Sequence, residues 1–299
     1  MKLLTHYLNE QSKNQHSIIN WRENSINDLL FYSFRSTDYN RHTFPSTLHY
    51  HDYYELVIFI EGKIQYLCES EVYAPQYGDI ILVPPGKLHM SMLTGDQTRY
   101  TRHVFYLYPS ALDELGCGVL TSFIKTCSDG VMLSSMAHHA RNEFIALLNK
   151  LDNTLVDPKD ECKKALGIGL IIQIFYLLNQ ERFVSNQAPS TLPVNIILIQ
   201  RYLDENYTQI NSVSEVAAHF YYSREYLSRL FKQYFHTTVA DYLTKRRISY
   251  SQRLISQGVP LIDAAYQSGF GNINTFIRAF RNITGLTPSA YRKALLHPK

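Results

Sequence analysis

The last hundred residues of the 299-residue chain repeat themselves. Arg229-Leu230-Phe231-Lys232, followed by Thr238 and Tyr242, returns 49 residues later as Arg278-Ala279-Phe280-Arg281, followed by Thr287 and Tyr291. Such a period marks one supersecondary unit used twice, and two copies are too few for a solenoid. Each copy reads as two helices around a tight turn. In the first, Ser212-x-x-Glu215 is a capping box, and Val213, Val216, Ala217 and Phe220 share an apolar face. Tyr221-Tyr222 makes the turn and Ser223 caps a helix with Leu227, Leu230 and Phe231 inward and Arg224, Glu225, Ser228, Arg229 and Lys232 outward. The second copy starts a helix at Pro260, buries Leu261, Ala264 and Ala265, and turns at Gly269-Phe270-Gly271. Asn272 caps its second helix, which buries Phe276, Ala279 and Phe280 and shows Ile273, Asn274, Thr275, Arg278 and Arg281.

The charge follows the repeat. Residues 194–299 carry 13 Lys+Arg against 6 Asp+Glu, a net of +7, whereas residues 1–193 carry 16 against 20, a net of −4. A basic segment on an acidic body is the electrostatic footprint of nucleic-acid binding. A short helix, a tight turn and a second helix with basic and amide groups on its free face form a helix-turn-helix, whose second helix fits the major groove. Arg reads guanine bidentately, Asn reads adenine, and Thr or Ile methyl groups pack on the thymine methyl. An ordinary bundle with a charged surface explains those faces but neither the duplication nor the charge split.

The stretch GFGNINTFIRAFRNITGLTPSAYR, from Gly269 to Arg292, and LSRLFKQYF, from Leu227 to Phe235, make residues 194–299 resemble the DNA-binding domain of the AraC family of bacterial transcription regulators. The resemblance implies two helix-turn-helix units joined by a long helix, about Val239 to Gln257, entering adjacent major grooves. Carried over by position, Glu225, Ser228, Arg229, Ile273, Asn274, Thr275 and Arg278 become base readers. Ser223, Arg224, Lys232, Asn272 and Arg281 become phosphate contacts, which give affinity without sequence information. The chain departs from the family at Tyr221 and His236, which stand where it has glycine, so strained turns are expected there. Ser251 replaces an alanine on the linking helix.

Upstream the period changes. From about Phe31 to Tyr108, short apolar runs alternate with Gly, Pro and Asp, as in Tyr54 to Ile60 followed by Glu61-Gly62-Lys63. Runs at Ile64 to Cys68, Asp79 to Val83 and Tyr100 to Tyr108 complete an all-β pattern suited to a barrel or sandwich. Helical spacing follows: Phe144, Leu147, Leu148 and Leu151 share one face, and Leu170, Ile174, Leu177 and Leu178 another. The fold expected is therefore two-domain α+β. A cupin-like β-barrel with flanking dimerisation helices spans 1–183, a linker 184–193, and an all-α double helix-turn-helix domain 194–299. Met1 to Thr47 reads as an arm before the barrel, and His138-His139 as solvated surface.

His49-x-His51-x3-Glu55-x6-Gly62, then Gly78-x5-Pro84-x-Gly86-x2-His89, has the spacing of the two cupin motifs. Alternate residues on a strand point to one side, so His49, His51, Glu55 and His89 converge inside such a barrel as a possible divalent-metal set. The asparagine usual after the second motif is replaced by Leu93, and no Gly stands six residues before His49. The resemblance to AraC-type sensor domains, which reuse this barrel for a small effector generally without metal, sets the expectation. His49, His51, Glu55, Tyr66 and His89 contact an effector, and no cofactor is bound. Tyr50, Tyr53, Tyr54, Tyr66, Tyr100, Phe105 and Tyr106 supply aromatic faces for a sugar ring or an apolar ligand, against the simpler alternative of packing.

The remaining composition excludes several classes. Cys68, Cys117, Cys127 and Cys162 form neither a zinc-finger pattern nor a disulfide framework. Met1 to Lys13 is too polar for a signal peptide, and the apolar run Ala165 to Leu178 is shorter than the roughly 18–20 residues of a bilayer span. With those classes excluded, the resemblance to the AraC family implies a cytoplasmic, non-enzymatic, ligand-responsive regulator that binds promoter DNA as a homodimer, with a sugar or related metabolite as effector and RNA polymerase as a further partner. Two rivals remain. One is a metal-dependent cupin enzyme with a helical docking module; the other is a constitutive regulator whose barrel only dimerises.

Overall fold

The structure, a computed structural model, describes residues 20–27, 30–40, 42–44, 48–69, 71–108, 110–125, 132–134, 138–155, 160–180 and 192–296. Among these are nine strands: β1 (Asn20–Asn27), β2 (Leu30–Asn40), β3 (Tyr54–Glu61), β4 (Ile64–Cys68), β5 (Glu71–Tyr73), β6 (Ile80–Val83), β7 (His89–Leu93), β8 (Gln97–Leu107) and, after the first short helix, β9 (Met132–Ser134). They pair antiparallel in two sheets, one in the order β1-β2-β8-β3-β6-β9 and one in the order β5-β4-β7. The expected closed barrel is not closed. At the Gly62 turn, where φ is +149°, the chain leaves the larger sheet and builds the smaller one. An isolated bridge joins His49, which lies in no named strand, to His89 at the start of β7.

The larger sheet is apolar on both faces, which is why β3 reads as the continuous run Leu56-Val57-Ile58-Phe59. Leu56, Ile58, Ile80, Leu82, Phe105 and Leu107 pack against a one-turn helix α1 (Ser122–Lys125) and two long helices, α2 (His138–Thr154) and α3 (Glu161–Gln180). Val57, Ile81, Val83, Val104 and Tyr106 face Tyr66, Cys68 and Tyr73 of the smaller sheet. The strand period thus separates Phe105 from Tyr106 and removes Phe105 from the expected aromatic pocket. Tyr100 packs elsewhere, with Tyr39, Phe44 and Phe59. Residues 20–27 and 30–40 of the expected N-terminal arm are strands β1 and β2, and residues 1–19, 28–29, 41 and 45–47 lie outside the described residues.

The helical part contains α4 (Val194–Asn206), α5 (Val213–His219), α6 (Arg224–Phe235), α7 (Val239–Ser256), α8 (Leu261–Gln267), α9 (Ile273–Thr284) and α10 (Pro288–Leu296). Most of the expected linker, residues 184–191, lies outside the described residues. Ser212 Oγ accepts the Glu215 N–H at 3.1 Å, so the capping box forms, although Glu215 reaches back to the Asn211 N–H. The long helix α7 belongs to two cores. Its first half places Val239, Tyr242 and Leu243 with Leu227, Phe231 and Phe235 of α6; its second half places Ile248, Leu254 and Ile255 with Phe276 and Phe280 of α9. Each of those buried phenylalanines contributes roughly 1.5–3 kcal/mol.

The smaller sheet has a second face. Leu67, Val72, Leu88 and Met90 turn away from the larger sheet and pack on Ile196, Ile199 and Leu203 of α4. The molecule is therefore layered: helices α2 and α3, six-stranded sheet, three-stranded sheet, helical part. Among the described residues, no helix is long and apolar enough to cross a membrane.

Candidate functional site

The free faces of α6 and α9 are built by their buried ones. With Leu227, Phe231 and Phe235 inward, Arg224, Glu225, Arg229 and Lys232 are exposed and Ser228 is half-buried. With Phe276 and Phe280 inward, Asn274, Thr275, Arg278 and Arg281 are exposed. Ile273 departs from expectation: it is half-buried against the core of the second unit. Ile277, three residues after Asn274, is exposed on the same face and was not expected there; its helical spacing is the signal that points to it. Ser223 accepts the Tyr226 N–H at 3.1 Å, and Asn272 accepts the N–H groups of Asn274 and Thr275 at 2.8 and 3.3 Å. Those two side-chain oxygens are engaged as caps, so what they place before an anion is a helix N-terminus with its positive dipole end. Tyr221 and His236 adopt left-handed φ of +57° and +52°, as their positions in place of glycine predict.

Not all of the basic charge faces outward. The run Lys245-Arg246-Arg247 on α7 is turned into the protein. Lys245 donates to the Leu48 carbonyl at 2.9 Å, and Arg247 donates to the Tyr207 carbonyl at 2.8 Å. Arg246 lies 2.7 Å from Glu69, in the β4–β5 turn, and 3.1 Å from Asp204 on α4. Ser249 donates to the Gly86 carbonyl at 2.7 Å, and Gln200 donates to the Glu69 carbonyl. Burial pushes Asp204 up to about 7 against the pull of Arg246. None of these docking residues carries a sequence signal, because a basic run on a helix reads the same whether it faces water or a partner layer.

Beside this seam is a cavity of about 530 Å³, lined from the sheet side by His51, Asp52 and Tyr108 and from the helical side by Arg246, Tyr250 and Tyr291. Its size falls in the usual range for small-molecule sites. Of the five residues expected to touch an effector, His51 lines it.

Those five do converge. Glu55 points between the sheets from β3, since its alternation matches Val57. His51 Nε2 lies 3.2 Å and His89 Nε2 3.0 Å from Glu55 Oε2, and the Tyr66 hydroxyl donates to the same carboxylate at 3.4 Å. The His49 and His89 rings are 4.3 Å apart between centres, and His51 stacks on Tyr53 at 4.1 Å. Nitrogens of His49 and His89 and a carboxylate oxygen of Glu55 lie within 4.8 Å of one another. Burial works to raise Glu55, but the hydrogen bonds from His51 and His89 outweigh it and hold the carboxyl well below its ordinary range. Burial pushes His51 down and the Tyr66 hydroxyl well up. Tyr53 and Tyr106 join this interior, whereas Tyr50 sits at the seam. The side chains of His138 and His139, at the start of α2, lie outside the described residues.

Comparison with known proteins bears on both halves. The model of a helix-turn-helix domain matches residues 216–294, and that of an AraC-like ligand binding domain matches residues 33–155. The melibiose operon regulatory protein of Escherichia coli is 23% identical over 268 residues, covering 84% of this chain and 85% of its own. The regulatory protein SoxS of Escherichia coli is 35% identical over 95 residues, which is 31% of this chain and 89% of SoxS. Among solved structures, ToxT from Vibrio cholerae aligns at 18% identity over 88% of this chain and 99% of its own, with a TM-score of 0.34. With a ligand-binding half and a helix-turn-helix half each matched, and a relative 35% identical over most of its own length, the chain belongs to the AraC family of DNA-binding transcription regulators.

Proposed function

We propose that residues 1–183 bind a small effector and dimerise the chain, that 184–193 link, and that 194–299 read promoter DNA through two helix-turn-helix units. The observation that carries this is the pair of helices α6 and α9, whose phenylalanines are buried and whose Arg229 and Arg278, 49 residues apart, are exposed. Glu225, Ser228 and Arg229 read bases in one groove and Asn274, Thr275 and Arg278 in the next. Ile273 supplies only the edge of its side chain. Arg224, Lys232, Arg281 and the capped helix starts at Ser223 and Asn272 hold phosphates.

The effector occupies the cavity at the seam, where tyrosine rings and hydroxyls suit a sugar or related metabolite. Names among the relatives support that class, the melibiose and raffinose operon regulators being two of them. A ligand there touches both halves at once, so it couples effector binding to the disposition of α7. The half-exposed Leu166 and Tyr176 on α3 supply an apolar face for a second copy, at 49% and 55% exposure. The protein acts in the cytoplasm, without catalysis, by presenting itself to RNA polymerase at the promoter.

The test is equilibrium binding to promoter fragments across a salt series. Arg278→Ala should cost about 1–3 kcal/mol and relax preference at one base pair, and Lys232→Ala should weaken all sequences alike and lower the salt slope by about one. An Arg278→Ala variant that loses affinity equally on every sequence would make Arg278 a phosphate contact and remove it from the reading set.

A further inference from the structure

The inner face of the larger sheet carries two positive charges in register. On β2, Phe31 and Tyr39 turn toward the smaller sheet and so, by alternation, do Ser33, Arg35 and Thr37. On β8, Tyr100, Val104 and Tyr106 turn the same way, and Arg102 with them. The antiparallel pairing sets Arg35 directly opposite Arg102, and Thr37 opposite Tyr100. Side chains that face one another across such a pair stand about 4.5–5.5 Å apart at Cβ, and like charges there are destabilising. A lysine or histidine so placed can shed its proton, but a guanidinium keeps its charge.

Arg102 Nη1 is buried without a hydrogen-bond partner, and the guanidinium carbon sits over the Tyr100 ring, 4.0 Å from its centre. A ring face attracts the charge but leaves the N–H edge without an acceptor. Glu55, the carboxylate on the inner face of β3, is held by His51, His89 and the Tyr66 hydroxyl. Arg35, 5% exposed, donates Nε–H to Ser33 at 3.0 Å and has its guanidinium carbon 5.8 Å from the centre of the Tyr106 ring. The two guanidinium groups thus lean toward opposite ends of β8, as like charges do. Hydroxyls of Ser33, Thr37 and Tyr100 share this belt, and apolar side chains close it at both ends, Val104 and Tyr106 at one and Tyr39 and Phe59 at the other. Arg102 and Ser91 are partly exposed, so solvent reaches the belt from the side of β7 and β8.

We propose that Arg102 and Arg35 bind the oxyanion group, a carboxylate or a phosphate monoester, of a small metabolite between the two sheets. A guanidinium edge presents paired N–H groups at the spacing of carboxylate or phosphate oxygens, so one oxyanion accepts from both forks and cancels their repulsion. The Thr37 and Tyr100 hydroxyls supply further donors, and the flanking tyrosine rings pack on the body of the molecule. Between apolar flanks such charge-assisted hydrogen bonds are stronger than at the surface. Neither arginine lines the cavity at the seam, and the site does not depend on a sugar occupying that cavity.

The experiment heats the full chain at constant ionic strength in chloride, in acetate and in inorganic phosphate, and follows the loss of helix signal. One oxyanion should raise the midpoint by several degrees over chloride, acetate marking a carboxylate ligand and phosphate a phosphate monoester. Arg102→Met should lose that shift, whereas Arg278→Ala, which removes a cation from the DNA-facing surface, should keep it. In the unaltered chain the same oxyanion, at ten times its dissociation constant, should slow labelling of Arg102 by butanedione about tenfold, read by mass spectrometry. That second measurement carries the decision if Arg102→Met does not fold. A shift that persists in Arg102→Met overturns the site, and its loss in Arg278→Ala would place the anion on the DNA-facing helices instead. Equal midpoints in all three salts, or labelling of Arg102 that no oxyanion slows, overturn it as well.

Discussion

Replacing Tyr221 by glycine should stabilise this protein, although it deletes a whole aromatic side chain. Tyr221 holds φ at +57° in the turn between α5 and α6, and its ring is 96% exposed. Burial lost on truncation is therefore negligible, whereas an L-residue in the left-handed region costs about 1–2 kcal/mol. Glycine returns about 0.5–1 kcal/mol of that through the greater freedom of its unfolded chain. The net spans about 0–1.5 kcal/mol in favour of Tyr221→Gly, centred near 0.75 kcal/mol. With a urea m value near 2 kcal/mol/M, the midpoint of helix loss should rise by about 0.4 M, and by no more than about 0.75 M, at unchanged slope.

The second unit provides the reciprocal case. Gly269 holds φ at +90° in the corresponding turn, and a Cβ placed there would lie 2.7 Å from the Thr208 backbone. Gly269→Ala thus adds overlap to strain and should lose more than about 2 kcal/mol. A Tyr221→Gly protein that unfolds at lower urea would refute the reasoning, because it would mean that the exposed ring stabilises the turn by more than its backbone strains it.

Arg246 lies between Glu69 and Asp204 with all three side chains largely buried, so Arg246→Ala leaves two carboxylates without their cation. The docked arrangement should lose about 3 kcal/mol, read as an increased radius of gyration in solution scattering; an unchanged particle would show that the apolar seam holds alone. His103 is 1% exposed, has Nδ1 2.7 Å from the Tyr32 hydroxyl, and is pushed down to about 3 by burial. Its folded state excludes the imidazolium, so its stabilisation is complete above the ordinary value of about 6.5 and is lost as pH falls toward about 3, by at most 1.4 kcal/mol or so per unit. His103→Gln should flatten that acid slope in thermal unfolding, and an equal slope in both proteins would assign the acid sensitivity elsewhere.

The repeat, the helix starts and the strand runs were legible because each is a local pattern. Ser212, Ser223 and Asn272 cap where hydroxyl and amide residues precede apolar periodicity, and Phe231 and Phe280 are buried where their spacing puts them. Glycine replacement by Tyr221 and His236 forecast two left-handed residues, since the unit needs that backbone whatever side chain stands there. The convergence of His51, Glu55 and His89 was also readable, because β3 alternation sends Glu55 to the same side as Val57.

Long-range partners were not. Residues 20–27 and 30–40 join the larger sheet as strands, because β2 finds its register along all of β8, a pairing about seventy residues distant that no local run encodes. Phe105 and Tyr106 part company because both faces of that sheet are covered, and apolar content alone does not say by what. The cations of α7 were counted toward DNA by their charge, yet Arg246 neutralises Glu69 and Asp204 and Lys245 caps the Leu48 carbonyl. Periodicity and capping act within a few residues and so are written in the chain. Which buried face meets which, and which charge meets its counter-ion, depends on pairing segments tens to hundreds of residues apart, and only the folded structure decides it.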